Sequence, residues 1–190
     1  IDQTDSVQVY HKSKLVLGVE MMPFPSVFQR FQEVIFDLGG TTGSLGTQKD
    51  RSVFKSFRSD TKIAPVICWE SVYGEYVGGY ILNGANLIFI LTNDGWWGET
   101  PGHIQHFQYG RLRAIETRRS IARSANTGIS CFINQRGDII KQTKWWEPTA
   151  INSTINSNDT ITFYTMYGDF IARISAFLTF LLVIWSYVRR

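Results

Sequence analysis

Cysteine is scarce in this chain: two residues, Cys68 and Cys131, among 190. That number excludes the disulfide framework of small secreted domains, and no Cys/His spacing matches a zinc site. A single Cys68–Cys131 bridge stays open in an oxidising compartment. Surplus charge is also small, since a net +3 does not argue for nucleic acid as a partner. No internal repeat is visible. The glycine-rich stretch from Asp37 to Thr47 lacks the Lys-Ser/Thr of a phosphate loop and the spacing of a dinucleotide turn, which leaves a flexible or substrate-facing loop. An initiator methionine is missing, and Ile1-Asp2-Gln3 carries no signal-peptide pattern, so the chain reads as the continuation of something longer. Nothing calls for a metal or an organic cofactor. His103 and His106 have no carboxylate or Cys at ligand spacing and read as polar residues on a helix surface.

What is present begins with size and aromatic content. A chain of 190 residues supports one domain with a sizeable core, and 14% of it is aromatic. Long apolar runs are absent until the end, where no charged residue interrupts Ile174 to Val188. Counted from Phe170, with Arg173 reaching toward the interface, the run is long enough to cross a bilayer. Trp185 and Tyr187 sit where an aromatic belt would be, and Arg189-Arg190 give the positive flank expected in the cytoplasm. The competing reading is a core helix, but that needs a polar stripe, and Ser175, Thr179 and Ser186 do not make one.

Before that run the pattern alternates between strands and helices. Val7–Tyr10 alternates like a strand, and Phe28–Phe36 has helical spacing. Lys62–Cys68 reads as a buried strand, Ser71–Asn83 as a helix, and Asn86–Thr92 as a strand covered on both faces. Gln105–Arg123 reads as one long amphipathic helix with Phe107, Leu112, Ile115 and Ile121 inward. Its arginines 111, 113, 118, 119 and 123 would pair with Glu116 and neighbouring acids. Gly128–Asn134 is a further strand, with Ile139-Ile140 opening its hairpin partner. Such alternation predicts a layered α/β domain.

Cys68 ends the run Pro65-Val66-Ile67-Cys68, where the sequence turns abruptly polar and aromatic. Only a thiolate attacks, so a nucleophilic cysteine needs an exposed strand end and a charged neighbourhood. Open α/β sheets bind ligands at the carboxyl ends of their strands, and Asn93-Asp94-Gly95-Trp96 would share that edge with Cys68 if the two strands are parallel neighbours. An inert buried cysteine fits the same local pattern. By themselves Lys12 and Lys14 could be a solvated basic turn, Glu20 an exposed carboxylate, and Trp96-Trp97 either packing or an acyl-chain gate.

Several segments in consistent order go further. Tyr10-His11-Lys12-Ser13-Lys14-Leu15 with Gly18-Val19-Glu20 resembles the lysine segment of the nitrilase, or carbon-nitrogen hydrolase, superfamily, and Ile67-Cys68-Trp69-Glu70 resembles its nucleophile segment. Asn93 to Gly98, Gln105-His106, Arg111–Ala114 and Arg123–Gly128 are similar to its membrane branch, the apolipoprotein N-acyltransferases. The resemblance implies an αββα sandwich followed by one transmembrane helix. Residues 1–165 would be the C-terminal part of the catalytic domain, 170–188 the membrane span and 189–190 its cytoplasmic end. It implies that Cys68 takes the sn-1 acyl chain of a phospholipid as a thioester and passes it to the N-terminal amine of a diacylglyceryl-cysteine lipoprotein. Lys12 would stabilise the oxyanion, helped by the Trp69 N–H, while Glu20 would orient Lys12 or handle protons. Trp69, Glu70 and Trp96 would meet substrate. The setting implied is the bacterial inner membrane, with the catalytic domain on the periplasmic side.

The chain departs from that pattern in three places. Trp69 stands where Tyr is more usual, and Leu17 where Pro is. The general-base glutamate belongs upstream of Tyr10, and nothing in Ile1–Val9 fits it. The isolated chain is therefore expected to be inactive. A nitrilase-type amidase and an inert membrane-anchored fragment are the alternatives.

Overall fold

The computed structural model describes residues 7–16, 20–21 and 46–189. A six-stranded sheet runs in the order β1 (Phe54–Lys55), β2 (Lys62–Ile67), β3 (Leu87–Asn93), β4 (Ile121–Asn126), β5 (Cys131–Ile133) and β6 (Ile139–Gln142). The central strands β2, β3 and β4 are parallel, and antiparallel strands flank them on both sides. Parallel neighbours need crossovers. Helix α1 (Gly74–Leu82) supplies the first, and α2 (Gly102–Thr117) the second.

One face of the sheet makes the core. Ala64 and Val66 of β2, Ile88 and Ile90 of β3, Ile121 of β4 and Ile133 of β5 pack with Val77, Tyr80 and Ile81 of α1 and Phe107 and Ala114 of α2. The opposite face is open among the described residues: Phe89 and Leu91 of β3 are exposed. The expectation that this strand is covered on both faces is thus corrected. Its continuous apolar run matches two-sided burial, but the described residues supply only one layer of helices.

Four further expectations change. Val7–Tyr10 forms no strand; instead the Gln8 side-chain amide pairs with the β1 edge, donating to the Lys55 carbonyl and accepting from the Lys55 N–H, both at 2.8 Å. The long helix stops at Thr117, because Arg118 takes a left-handed backbone (φ 53°) and Ile121 starts β4. Leu112 and Ile115 face outward, while His106 and Arg113 are buried. Of the five arginines, Arg113 and Arg123 are the ones that form ion pairs among the described residues, with Glu116 and Asp94 respectively. Arg119, fully buried, bonds the carbonyls of Ala85, Thr117 and Thr160 instead. The predicted helix at Phe28–Phe36 and most of the glycine-rich loop lie outside the described residues.

After a short helix α3 (Phe163–Tyr167), α4 covers Phe170–Val188. Asp169 caps it, its side chain accepting from the Ala172 N–H at 3.1 Å. Thr179 hides its hydroxyl on the Ser175 carbonyl at 2.8 Å. The helix has a mean hydropathy of 1.9 and no buried residue. Nineteen residues give roughly 28 Å of rise, about the thickness of a bilayer's hydrocarbon core. By length and composition it can cross a membrane.

Candidate active site

Strand β2 delivers Cys68 to the carboxyl edge of the sheet, and β3, parallel and in register beside it (Ile67 opposite Leu91), delivers Asn93-Asp94 to the same edge. Cys68 opens a five-residue 3-10 turn (Cys68–Val72) with φ at 50°. A left-handed backbone costs a residue with a Cβ about 1–2 kcal/mol, so neighbouring contacts must hold it. They are plentiful. The Cys68 carbonyl accepts from Ser71 Oγ at 2.8 Å and lies 3.2 Å from His106 Nε2. The Ile67 N–H, one residue earlier, donates to Glu70 Oε2 at 2.8 Å.

Glu70 is the hub of this arrangement and is fully buried. Its Oε1 accepts from the backbone N–H groups of Ser13 (2.6 Å) and Lys14 (3.3 Å), and from the hydroxyls of Tyr10 (2.6 Å) and Tyr76 (3.3 Å). One carboxylate therefore ties the nucleophile turn to the segment that carries Lys12. The resemblance implies that Glu70 meets substrate; among the described residues the bonds its carboxylate makes are internal. Burial and the Glu70 hydrogen bond push the Tyr10 phenol well above its usual range, so it serves as a donor.

Lys12 Nζ bonds both oxygens of Glu20, at 2.6 and 2.7 Å, and Glu20 also accepts from the Val16 N–H at 2.8 Å. The ammonium is mostly shielded, with 11% of its side chain exposed. The Glu20 carboxylate thus pairs with the Lys12 ammonium.

A second polar unit lies under the turn, and the sequence pattern had put its histidine on a helix surface. His106 is buried, with Nδ1 2.9 Å from Asp94 Oδ1; the carboxylate can only accept, so Nδ1 carries the proton. Asp94, also buried, accepts from Arg123 at 2.7 Å and from Thr92 at 3.0 Å. Burial alone would raise the Asp94 carboxyl, but the His106 hydrogen bond and the Arg123 charge outweigh it and hold it below its ordinary value. The His106 ring stacks on Trp69 (centroids 6.1 Å apart, 27° between planes), and Trp97 lies over both. The tryptophan pair therefore divides its roles: Trp97 packs, while Trp96 is 66% exposed beside the site. His103 sits apart, stacked on Trp145. The signal that could have marked His106 is its place on one helical stripe with buried Gly110, Arg113 and Thr117.

Both cysteines are free thiols. Cys131 is 1% exposed, and burial pushes its thiol up to about 11 against the pull of Arg123. Cys68 is half-buried at the sheet edge. Iodoacetamide at about pH 8 is accordingly expected to label Cys68 alone in the native chain and both thiols after denaturation, because reactivity follows thiolate access. Peptide mass spectrometry showing equal native labelling of Cys131 would contradict this.

A family model described as carbon-nitrogen hydrolase matches residues 1–164. The chain is 31% identical over 187 residues to apolipoprotein N-acyltransferase of Chlorobaculum tepidum, covering 97% of this chain and 35% of that protein. It is 34% identical over 182 residues to the protein of the same name from Thermotoga maritima, covering 96% and 35% respectively. The Allorhizobium ampelinum apolipoprotein N-acyltransferase is 40% identical over 127 residues, 64% of this chain and 23% of that one. The chain thus spans about a third of the length, 35%, of the first two of these relatives.

Proposed function

Because this chain belongs to the carbon-nitrogen hydrolase family, we propose that it forms the nucleophile- and lysine-bearing part of an apolipoprotein N-acyltransferase. The observation that carries the proposal is Cys68, fixed left-handed at the carboxyl end of a central parallel strand and joined through Glu70 to the Lys12 segment.

In the first half-reaction the Cys68 thiolate attacks the sn-1 ester carbonyl of a phospholipid. The acyl–oxygen bond breaks, a thioester forms, and the lysophospholipid leaves after its alkoxide takes up a proton. Lys12, held by Glu20, stabilises the oxyanion together with the Trp69 N–H, since N–H groups at the start of a turn lie outside its own ladder. In the second, the N-terminal amine of a diacylated lipoprotein attacks the thioester, an amide forms, and Cys68 departs as thiolate while the amine loses a proton. A general base must take the thiol proton, a task the family resemblance assigns to a glutamate upstream of Tyr10. Helix α4 would anchor the domain in the bacterial inner membrane, with Arg189 at the cytoplasmic face and the catalytic layer on the periplasmic side. Trp96, exposed at the sheet edge, would contact the acyl chain.

The test is to incubate the enzyme containing this chain with phospholipid labelled in its sn-1 acyl group and digest it at a pH that preserves thioesters. The label is expected on the Cys68 peptide, released by neutral hydroxylamine and by a diacylated lipopeptide. Turnover of soluble amides without any acyl-Cys68 would overturn the proposal in favour of an amidase.

A further inference from the structure

A polar cavity of about 750 Å³ opens between the segment after Lys12, the start of α1 and the amino end of α4. Neither Cys68 nor Lys12 lines it. Its charged groups do not cancel evenly. Arg113 pairs with Glu116 at 2.8 Å and Arg173 with Glu75 at 2.5 Å, while Asp169 caps α4. That leaves Lys14 and Arg51, and neither has a carboxylate partner among the described residues.

These two cations share one aromatic ring. The Arg51 guanidinium carbon lies 4.7 Å from the Tyr76 ring centroid and Lys14 Nζ lies 5.4 Å from it. Arg51 also donates from Nε to the Tyr76 carbonyl at 3.1 Å. Like charges gathered without a counter-ion repel, and a ring face offsets that only in part. The placement is nonetheless built in. Arg51 lies flat across α1 at Gly79, where any Cβ would come within 2.6 Å of its Nε. Tyr76 is buried and bonded to Glu70, so the ring cannot swing away. The backbone N–H of Lys14 is fixed on the same carboxylate.

Elsewhere in the lining, Arg113 Nε and Glu116 Oε2 are buried without hydrogen-bond partners. Burial holds the Glu116 carboxyl above its usual range despite the attraction of Arg113. An unpartnered donor and an unpartnered acceptor therefore line the same cavity as a bare cationic pair. An anion with several oxygens suits the pair, because Arg presents a fork and Lys a point charge. A hydroxyl or amine on the same molecule suits Glu116.

We propose that this cavity binds a phosphate ester, its oxyanion between Lys14 and Arg51 and its hydrogen-bonding groups toward Arg113 and Glu116. The position at the foot of a bilayer-length helix offers two sources of the same chemistry, the headgroup of a membrane lipid or a soluble glycerol phosphate. The site is distinct from the thioester-forming one and does not depend on acyl transfer.

The full chain in maltoside micelles, titrated with dihexanoyl phosphatidylglycerol and separately with sn-glycerol 3-phosphate, decides the matter by calorimetry. Saturable binding is expected, weakened roughly tenfold or more by Arg51→Gln and by Lys14→Gln, the loss of one charge-assisted contact each. Arg51→Lys should restore most of the affinity that Arg51→Gln loses, which an unfolded variant would not do. Tighter binding of the lipid assigns a headgroup site, and equal binding assigns a soluble ester. Absence of saturable binding by either probe, or affinity unchanged in both charge-removing variants, overturns the proposal. Cys68→Ala should leave the binding intact, so the result stands apart from the acyltransferase reading.

Discussion

Replacing Glu70 by Gln is expected to lower stability by about 3–5 kcal/mol and to abolish selective alkylation of Cys68, although the side chain barely changes shape. The carboxylate accepts five hydrogen bonds, three of them from backbone N–H groups that have no water to turn to. A carboxamide has one acceptor oxygen and a donor NH2. Whichever way it is turned, the NH2 faces either the Ile67 N–H or the cluster of Ser13, Lys14 and the tyrosine hydroxyls. Donor meets donor, and at least one buried N–H is left unmet. The loss has a place as well as a size. The turn at Cys68 and the Lys12 segment share this carboxylate, so thermal unfolding followed by near-ultraviolet dichroism and native alkylation of Cys68 should fail together. A variant with wild-type melting and labelling would show that the carboxylate is not the tie between the two segments.

The second large effect is expected at Asp94. Asp94→Asn removes one partner of a buried ion pair with Arg123 and of the bond to His106, leaving the buried Arg123 guanidinium without a counter-charge; such breaks cost about 3–5 kcal/mol. The consequence for pH has a definite sign. The folded carboxyl sits below its unfolded value of about 3.9, so the unfolded chain binds the proton more readily. The stabilisation is complete above that value and is lost as pH falls through the depressed folded one. Asp94→Asn should therefore be weaker at neutral pH and show a shallower acid limb in melting temperature against pH. An unchanged acid limb would contradict the assignment. Because the His106 ring lies against the Cys68 turn and stacks on Trp69, the same substitution should also slow native alkylation of Cys68.

The thiol was legible because a strand that ends in Cys-Trp-Glu changes character within one residue, and a sheet edge is where that happens. The parallel pairing of β2 and β3, a condition in the sequence reading, is met in the structure and fits two apolar runs separated by a helix. Strand β4 was not legible. Arg118-Arg119-Ser120 continues the polar spacing of α2, and the break comes from Arg118 adopting a left-handed backbone without a glycine to announce it. Within β4 the inward position after Ile121 is Arg123, apolar in no scale, and buried only because Asp94, just past the end of neighbouring β3, pairs with it. His106 was hidden for the same reason: a polar partner that makes its burial tolerable comes from a different element. Patterns along the chain report hydrophobic burial well and paired polar burial poorly, since pairing is settled across strands. Glu70 shows the complement, for its place beside the thiol is plain from the sequence while its inward orientation is not.

Glu75, on the first turn of α1, accepts from both the Asp169 N–H and the Arg173 side chain, and α1 follows directly on the turn that carries Cys68. In the proposed membrane setting this makes the protein a depth gauge. With the thiol's height above the bilayer fixed by that short path, an ester would be chosen by the level at which its carbonyl rides in the lipid. Chain length and saturation, which lie deeper, would then matter less to the first half-reaction than how far the glycerol backbone can rise.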